Sequence, residues 1–481
     1  MGMMIKRLTG WRSRFDRLSP AAKTSLALII SKFFQRGLGL ITGPIFSRIM
    51  PMAEYGLISN FTSWQSILYI VATLNMAQGV FNNGMLEFEE DRDSFVFSLL
   101  MLANLVTLAF AGVMVIFHQW AVSVMKLPPA MILVMFAYFF MTPAYNYWLG
   151  RKRFEYRYRP ILWVTAAVSL SSAVLSIIAV LMAPQDGKAN AKVLTAEMVS
   201  VLAAAVFYVL TCVKGKGRLN VRYWRYALII NLPLVPHYLS MQILSASDRI
   251  MITHLVDSSA TAIYNVAYTA AAVVLIFWNS VDAAYAPWIY QRMRDKNYAA
   301  LRRRGEEVIL LFAGCAALAT LFAPELIRIL GPEQYYEGVY VIPSVVAGVF
   351  FTAVFALYMR VELYLKKTVS IMVATVLAAA ANIGLNALCI PHWGYQAAGY
   401  TTLVCYMMLA LFHALNLKRL GYGQVYGNRR IALISLGVCV CIVSLSALYT
   451  HPVIRYALIA VLLMLGIRFR KKLTGLLRKQ R

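Results

Sequence analysis

Two positively charged side chains stand inside the first apolar stretch of the sequence. Lys32 and Arg36 lie in "SKFFQRGLGL", between the apolar runs "AAKTSLALII" and "ITGPIFSRIM". A charge that faces lipid costs roughly 2.5 to 3.5 kcal/mol or more, and a spacing of four residues places both side chains on one helix face. We therefore expect a water-filled cationic cleft, with snorkelling or an ion pair inside a helix bundle as the alternative.

A sequence repeat places further cations at matching positions. "SRIM" at residues 47–50 and "DRIM" at residues 248–251 put Arg48 and Arg249 at an offset of 201 residues (249 minus 48), and each is followed by a new apolar stretch. The same offset relates Arg36 to His237. Because each repeat holds an even number of spans, the halves are parallel and would face each other across a central cleft.

Together Lys32, Arg36, Arg48, Arg249 and His237 would attract an anion, and arginine suits a phosphate because it can donate two parallel hydrogen bonds. Alternatives remain for three of them. Arg48 and Arg249 could anchor at the membrane interface, the latter beside Asp248, and His237 could be a hydrogen-bonded bundle histidine. Pro233 and Pro236 are predicted to break the seventh helix, and Gly43–Pro44 to do likewise in the first.

Amide side chains form a second set of candidates. Asn75, Gln78, Asn82 and Asn83 are predicted to form one polar stripe on the second span, and Asn279, Ser280 and Asp282 lie in the eighth. Amides suit hydroxyl-rich ligands such as sugars, and hydrogen bonding between helices is the alternative. Asp282 is a candidate site for a coupling proton or cation. Glu362 is predicted to pair with Arg360, and Asn382 and Asn386 to hold helices together.

The elements that must position these residues are membrane-spanning helices. The 481-residue chain is 60% hydrophobic and 14% charged, against about 25% charged in soluble proteins. Fourteen apolar segments of about the length of a span follow one another with short connections: 21–42, 55–80, 94–117, 127–149, 161–183, 191–212, 226–246, 259–283, 306–330, 336–359, 368–390, 395–416, 431–449 and 453–469.

The distribution of charge predicts the orientation. With the N-terminus inside, most of the 46 lysines and arginines fall in inner loops such as "RKRFEYRYR" and "RMRDKNYAALRRR", as the positive-inside rule requires. The acidic "LEFEEDRD" loop is an exception. Both termini are therefore predicted to be cytoplasmic, and the net charge of +26 needs no nucleic-acid partner.

The predicted organisation has four parts. Residues 1–20 form a basic amphipathic helix on the inner leaflet, residues 21–212 the N-lobe with spans 1–6, and residues 213–417 the C-lobe with spans 7–12. Residues 418–481 hold spans 13 and 14 and a basic cytoplasmic tail. The fold class is thus an all-α integral membrane protein with two pseudo-equivalent six-helix lobes around a central cavity.

Motifs for enzymatic chemistry are missing from the sequence. There is no G-x-x-x-x-G-K-[ST] nucleotide loop, no H-E-x-x-H, no G-x-S-x-G and no C-x-x-C among the six cysteines. We therefore predict no ATP hydrolysis by this chain, no metal or other cofactor, and no enzymatic activity. A proton or sodium gradient is the expected energy source.

Three stretches resemble the polysaccharide flippases of the multidrug/oligosaccharidyl-lipid/polysaccharide exporter superfamily: "ITGPIFSRIMPMAEYGLISNF", "LPLVPHYLSMQILSASDRIMITHLVDSSATAIYNVAY" and "FAPELIRILGPEQYYEGVYVIP". The resemblance implies alternating access in the bacterial inner membrane. It implies a substrate of undecaprenyl diphosphate linked to an oligosaccharide, translocated for surface polysaccharide or lipopolysaccharide assembly. In such flippases cavity cations stand where Arg36, Arg48 and Arg249 lie here. His237 departs from the pattern, since a second helix cation is expected there.

Other functions stay open from the sequence. A lipid II flippase would need the same cations, and a cation-coupled drug antiporter of the superfamily would favour carboxylates in its cavity. A membrane polymerase or acyltransferase would need a reactive outer group. The expected partners are the lipid-linked oligosaccharide, membrane lipids and other polysaccharide assembly proteins.

Overall fold

The computed structural model describes residues 20–468, except for a few side chains in the first and eleventh helices. The predicted amphipathic helix of residues 1–20 and the basic tail after residue 468 therefore lie outside the described residues, apart from Pro20. The side chains of Lys32 and Arg36 lie outside them as well, although their backbone is helical. Within the described range the chain is helical and contains no β-strand.

Eighteen α-helices follow one another along the described chain. The first nine are α1 Pro20–Ile49, α2 Met52–Thr73, α3 Phe81–Glu87, α4 Arg92–Ile116, α5 His118–Met125, α6 Pro129–Phe154, α7 Tyr158–Met182, α8 Lys188–Gly215 and α9 Val221–Asn231. The second nine are α10 Val235–Leu255, α11 Ser258–Arg294, α12 Tyr298–Leu321, α13 Ala323–Leu330, α14 Ile342–Tyr364, α15 Thr368–Trp393, α16 Gln396–Arg419, α17 Asn428–Ser444 and α18 Pro452–Arg468.

The predicted all-helical membrane fold is confirmed. Ten helical stretches within the described residues are long and apolar enough to cross a membrane, with α9 and α10 counted as one and α17 counted together with the 3-10 turn that extends it to Thr450. The number is eleven when α12 and α13, bent by 59° at Phe322, count as one span. The other three predicted segments correspond to α1, α2 and α18. Of these, α18 has 17 residues and α1 carries several cations, so the count of fourteen spans stays a prediction.

The chain divides into two compact units by its internal contacts. The first unit contains the described residues up to Pro51 together with Trp64–Val235, and the second contains Met52–Ser63 and the described residues from Pro236 onward. The lobe limits of 21–212 and 213–417 were predicted from the sequence repeat, and they stay predictions, as does the separate segment 418–481.

Each unit buries small or aromatic side chains between helices and exposes large apolar ones outside. In the first unit α6 packs along α8, and α8 packs along α7. In the second unit α14 packs along α16 and α11 and is almost wholly enclosed. Leu133, Trp163 and Leu388 are 75%, 76% and 68% exposed, as expected where lipid rather than water surrounds the helices.

The two predicted proline breaks have different outcomes. In the seventh span the predicted break is limited to a 3-10 turn at Leu232–Leu234 between α9 and α10, because Val221–Leu255 still forms one span of 35 residues. The predicted break at Gly43–Pro44 is wrong, because α1 continues through Pro44 to Ile49. A proline removes one helical hydrogen bond. The carbonyl of Pro44 itself accepts hydrogen bonds from Ser47 Oγ at 3.0 Å and from Arg48 Nη1 at 2.9 Å.

The second predicted span, 55–80, stops early. Helix α2 ends at Thr73, where Leu74 and Asn75 adopt left-handed φ angles of 51° and 49°. The buried Asn231 side chain donates a hydrogen bond to the Leu74 carbonyl and so holds the turn. A Cβ on Gly79 would lie 1.9 Å from Asn231 Oδ1, so the turn also needs a glycine at that position.

This contact predicts a non-additive pair of substitutions. Gly79→Ala should lower the thermal unfolding midpoint in detergent, because its Cβ collides with Asn231. In an Asn231→Ala background the cost of the same substitution should be smaller by about 1 kcal/mol or more, since the colliding atom is gone.

Gly112→Ala is the control, because nothing lies within 4 Å of a Cβ built there. Additive effects of Gly79→Ala and Asn231→Ala would contradict the proposed contact.

Candidate substrate site

Arg249 lies on α10 in the second unit and is held by neutral groups. Its Nε donates to Asn265 Oδ1 at 2.9 Å and its Nη1 donates to the Ser245 carbonyl at 2.9 Å. The guanidinium carbon lies 4.2 Å from the centroid of the Tyr268 ring. Arg249 is half-buried and forms no ion pair with any described carboxylate. Its guanidinium is therefore oriented by uncharged groups, which leaves part of its hydrogen-bonding capacity for an anion.

The neighbouring Asp248 bonds elsewhere. It is fully buried, and its oxygens accept hydrogen bonds from Tyr264 Oη at 2.7 Å, Asn386 Nδ2 at 2.8 Å and Thr402 Oγ1 at 2.8 Å. Asp248 thus joins α10 to α11, α15 and α16 and is not an ion-pair partner of Arg249 in the described chain. Asn382 and Asn386 hold helices together, as predicted: Asn382 accepts from Ser247 and donates to Thr402.

His237 lies near the start of α10 and contacts α15. Its Nδ1 is 3.1 Å from Thr375 Oγ1, and the side chain is half-buried. This contact fits the interpretation of His237 as a bundle histidine and leaves part of the ring accessible. Whether it binds substrate stays a prediction.

Arg48 lies at the end of α1 in the first unit. Its side chain is exposed, and its Nη1 donates to the Pro44 carbonyl one turn earlier. The side chains of Lys32 and Arg36 lie outside the described part of α1. The convergence of these three cations with Arg249 and His237 therefore stays a prediction.

The predicted amide stripe is wrong. Asn75 and Gln78 lie in the turn after α2, where the Gln78 N–H donates to the Asn75 carbonyl, and Asn82 lies on α3 and accepts from Arg153 Nη2 at 3.1 Å. The stripe fails because left-handed residues end the helix before Asn75. Gln78 is exposed and Asn75 is half-buried, so a role in contacting sugar stays a prediction for both.

Asn279 and Asp282 lie on α11. Asn279 is exposed. Asp282 is paired with Arg360 of α14, whose Nε lies 3.1 Å from Asp282 Oδ1 and whose Nη2 contacts Oδ2. The predicted pair of Glu362 with Arg360 is therefore wrong. Residues two apart on a helix point to nearly opposite sides, and Glu362 instead accepts hydrogen bonds from His413 and Asn416 on α16.

A partly open polar cavity of about 510 Å³ lies within the first unit, bordered by α1, α6, α7 and α8. Its polar lining includes Gln35, Tyr138, Asn146, Lys192 and the serines at 169, 172 and 176. Ser176 Oγ is buried and has no hydrogen-bond partner among the described residues. The sequence analysis did not single out this site, although serines three and four residues apart on α7 predict one polar face.

An apolar groove of about 770 Å³ lies within the second unit, between α14, α16 and α17. Its wall is formed by Phe351, Met407, Leu411 and Leu436 among others. Lys418 and Asn428 also line it, at the end of α16 and the start of α17. A groove with an apolar wall and a basic end has the chemistry to hold a lipid chain beneath an anionic headgroup.

Ion pairs at the end of α6 partly neutralise the basic loop after it. Glu155 accepts from Arg151 Nε at 2.8 Å and from Lys152 Nζ at 2.7 Å. Burial acts to raise the pKa of Glu155, but these two hydrogen bonds outweigh it and hold the pKa below its usual value of 4.5. Their stabilising effect is therefore present above that value and is lost as the pH falls through the lower pKa of the folded state.

Comparison with solved structures identifies the fold. The lipid II flippase MurJ, in an inward closed conformation, matches with a TM-score of 0.67 at 14% sequence identity, over 92% of this chain and 99% of MurJ. An inward-facing multidrug resistance MATE family transporter of the MOP superfamily matches with a TM-score of 0.54 at 13% identity, over 85% and 98%. A mutant of the Vibrio cholerae MATE transporter VcmN matches with a TM-score of 0.51 at 13% identity, over 83% and 97%.

The fold and the apolar helices thus define a multi-pass membrane protein with the architecture of MurJ and MATE transporters. A sequence profile of the family described as polysaccharide biosynthesis protein matches residues 21–293, which is more than half of the chain. The chain belongs to this polysaccharide biosynthesis protein family. No curated protein sequence matches it.

The Asp248 network predicts a large loss of stability on truncation. Asp248→Ala should leave three buried donors unpaired, each at a cost of about 1–3 kcal/mol. The thermal unfolding midpoint in detergent should therefore fall by several degrees.

Asp186→Ala is the control, because Asp186 is exposed in a short turn outside the long helices. A midpoint for Asp248→Ala equal to that of the unmodified chain would show that Asp248 does not hold the four helices together.

Proposed function

We propose that the chain is a flippase that moves undecaprenyl-diphosphate-linked oligosaccharides from the inner to the outer leaflet of the bacterial cytoplasmic membrane. The transported units would supply surface polysaccharide assembly, and transport would proceed by alternating access. Family membership and the MurJ- and MATE-like fold support a transporter of this kind. The proposal includes no catalytic step.

The physical problem for such a flippase is the diphosphate. Moving its charge through hydrocarbon unaided would cost tens of kcal/mol by Born estimates. The observation that carries the proposal is Arg249, whose charge is held by Asn265, Ser245 and Tyr268 and not by a described carboxylate. We propose that Arg249 binds the diphosphate together with Lys32, Arg36, Arg48 and His237.

The polyprenyl tail needs an apolar surface during the same movement. The apolar groove between α14, α16 and α17 offers one, and the Lys418 ammonium at its edge suits a lipid phosphate. Because the last described helices pack within the second unit, we propose that α17 forms one wall of a path for the tail.

The sugars need hydroxyl and amide partners. Asn75, Gln78 and Asn279 remain the proposed sugar contacts. The polar cavity of the first unit adds a second group of such partners, because a lysine, an asparagine and several serines line it together. Tyrosine rings such as Tyr138 can also stack on sugar faces.

Transport against a gradient needs an energy source. We propose a proton or sodium gradient, with Asp282 as one candidate coupling residue. A cation at Asp282 would have to compete with the Arg360 guanidinium, which already holds both carboxylate oxygens.

A lipid II flippase is the second candidate, because Arg249 would bind the diphosphate of lipid II equally well. Complementation of a strain that lacks its lipid II flippase distinguishes the two. Rescue of growth would favour lipid II as the substrate. If growth is not rescued, cells that lack this chain are examined for lipid-linked sugars. Accumulation of a lipid-linked oligosaccharide in these cells would favour our proposal and would reveal the identity of the sugar.

Removing the Arg249 charge should strongly reduce export. Loss of a charge-assisted hydrogen bond worth about 1.5–3 kcal/mol predicts that Arg249→Ala reduces surface polysaccharide by about tenfold or more, while Arg249→Lys retains part of it. Surface polysaccharide and the amount of protein in the membrane are measured together.

Arg328→Ala is a matched control, since Arg328 also lies over a tyrosine ring, 5.1 Å from the Tyr336 centroid, but is exposed on α13. Full export by Arg249→Ala would remove the proposed diphosphate site.

Filling the apolar groove should slow transport without removing any charge. Leu411→Trp adds bulk at the groove, so the transfer rate of lipid-linked oligosaccharide in reconstituted vesicles should fall several-fold. Leu388→Trp is the control, because Leu388 is also exposed and apolar but lies on α15, outside the groove. Equal rates for the two variants would show that the tail does not use the groove.

A further inference from the structure

The second unit contains a carboxylate and an imidazole that are both completely buried. Glu362 on α14 and His413 on α16 have 0% side-chain exposure. Glu362 Oε2 lies 2.9 Å from His413 Nδ1, and Glu362 Oε1 accepts from Asn416 Nδ2 at 2.9 Å. The carboxylate therefore has two partners from one helix, and one of them can change its own charge.

The far side of the imidazole has no partner. His413 Nε2 is buried and makes no hydrogen bond to any described residue. The rings of Phe355 and Phe412 lie around it, with centroids 6.1 and 5.8 Å from that of His413. A buried polar atom with no partner is uncommon, and a static helix contact would not need a titratable ring at this position.

Charge balance shows what this pair can bind. With one proton, on His413 Nδ1, the pair carries a net charge of −1 in an apolar site, which is costly. A second proton makes the pair neutral, either as a carboxylic acid beside imidazole or as a carboxylate beside imidazolium. Binding of one proton therefore removes a buried net charge.

Other charged groups on the surrounding helices do not neutralise the pair. Arg360, two residues before Glu362, is paired with Asp282 of α11, and His237 on α10 contacts Thr375 of α15. The remaining aspartate, glutamate, histidine, lysine and arginine side chains on the surrounding helices form no hydrogen bond to the pair in the described chain. They are Asp248, Arg249 and His254 on α10, Arg292 and Arg294 on α11, Arg302, Arg303, Arg304, Glu306 and Glu307 on α12, His392 on α15, Lys418 and Arg419 on α16, and Arg429 and Arg430 on α17.

We propose that Glu362 and His413 form a proton-binding site of the transport cycle. The proposal rests on the proposed flippase function for its role in transport, although proton binding itself can be measured without substrate. The proton adds to the pair with no other change in bonding. It leaves the pair when the site becomes accessible from the opposite side of the membrane. Because α14 and α16 pack together along their lengths, a change in the charge of this pair acts directly on their interface.

Proton counting tests the site on the full-length chain in detergent. The pH of a weakly buffered sample is lowered from about 8 to about 5, a range that brackets the ordinary charge change of histidine, and a pH indicator reports the protons taken up. Glu362→Gln keeps a hydrogen-bonding group of the same shape, and should take up one proton fewer than the unmodified chain. Glu362→Gln combined with His413→Asn should show the same loss.

Asn416→Ala is the matched control, because it removes a hydrogen bond from the same carboxylate but no titratable group. It should take up as many protons as the unmodified chain. If Glu362→Gln takes up an unchanged number of protons, the proposed site is wrong.

Transport then separates this inference from the proposed function. Vesicles containing the chain receive lipid-linked oligosaccharide extracted from cells that lack it, and a pH gradient is imposed. Gradient-driven transfer should occur with the unmodified chain and fall by about tenfold or more in Glu362→Gln. If the proton count falls but the unmodified chain transfers no oligosaccharide, the proposed function is wrong and the proton site stands. If transfer occurs and the proton count is unchanged, the function stands and the proton site is wrong.

Discussion

The buried carboxylate of Asp248 imposes the main constraint on the second unit. A carboxyl group buried away from water must be satisfied by hydrogen-bond donors that are already in place, and three helices supply them through Tyr264, Asn386 and Thr402. The network fixes the rotation of α10, and the next residue, Arg249, therefore points toward Asn265 and Tyr268. The orientation of Arg249, the proposed substrate-binding cation, is therefore a consequence of how Asp248 is buried.

Much of the helical architecture could be predicted from the sequence because the signals are local. Long apolar segments mark spans, and two prolines three residues apart mark the 3-10 turn between α9 and α10. The end of α2 could not be predicted in this way. Leucine at position 74 favours a helix, and its left-handed conformation depends on Asn231, 157 residues further along the chain.

The partners of the charged residues were also harder to predict, because they too lie far away in the sequence. Arg360 lies two residues from Glu362 in sequence but pairs with Asp282, 78 residues away. The polar cavity also depends on four helices at once, so its lysine and serines carry no strong signal individually. Lys32 and Arg36 do carry a strong signal individually, because charged residues are rare in an apolar segment. The sequence nevertheless does not give the position of their side chains, because that position depends on how the helices pack. Hence a sequence identifies which residues are costly in a membrane more readily than it identifies what compensates for them.

The pairing of Asp282 with Arg360 also bears on how the chain is made. Helices enter the bilayer largely one after another during synthesis and associate afterwards. Arg360 enters the membrane after Asp282, and it lies four residues before the end of α14. The insertion penalty of an arginine, about 2.5–3.5 kcal/mol at a helix centre, is therefore smaller here, and the strongly apolar sequence of α14 must outweigh it. Once both helices are inserted, the unpaired charges favour their association, and this ion pair can then select α11 as the neighbour of α14 during assembly.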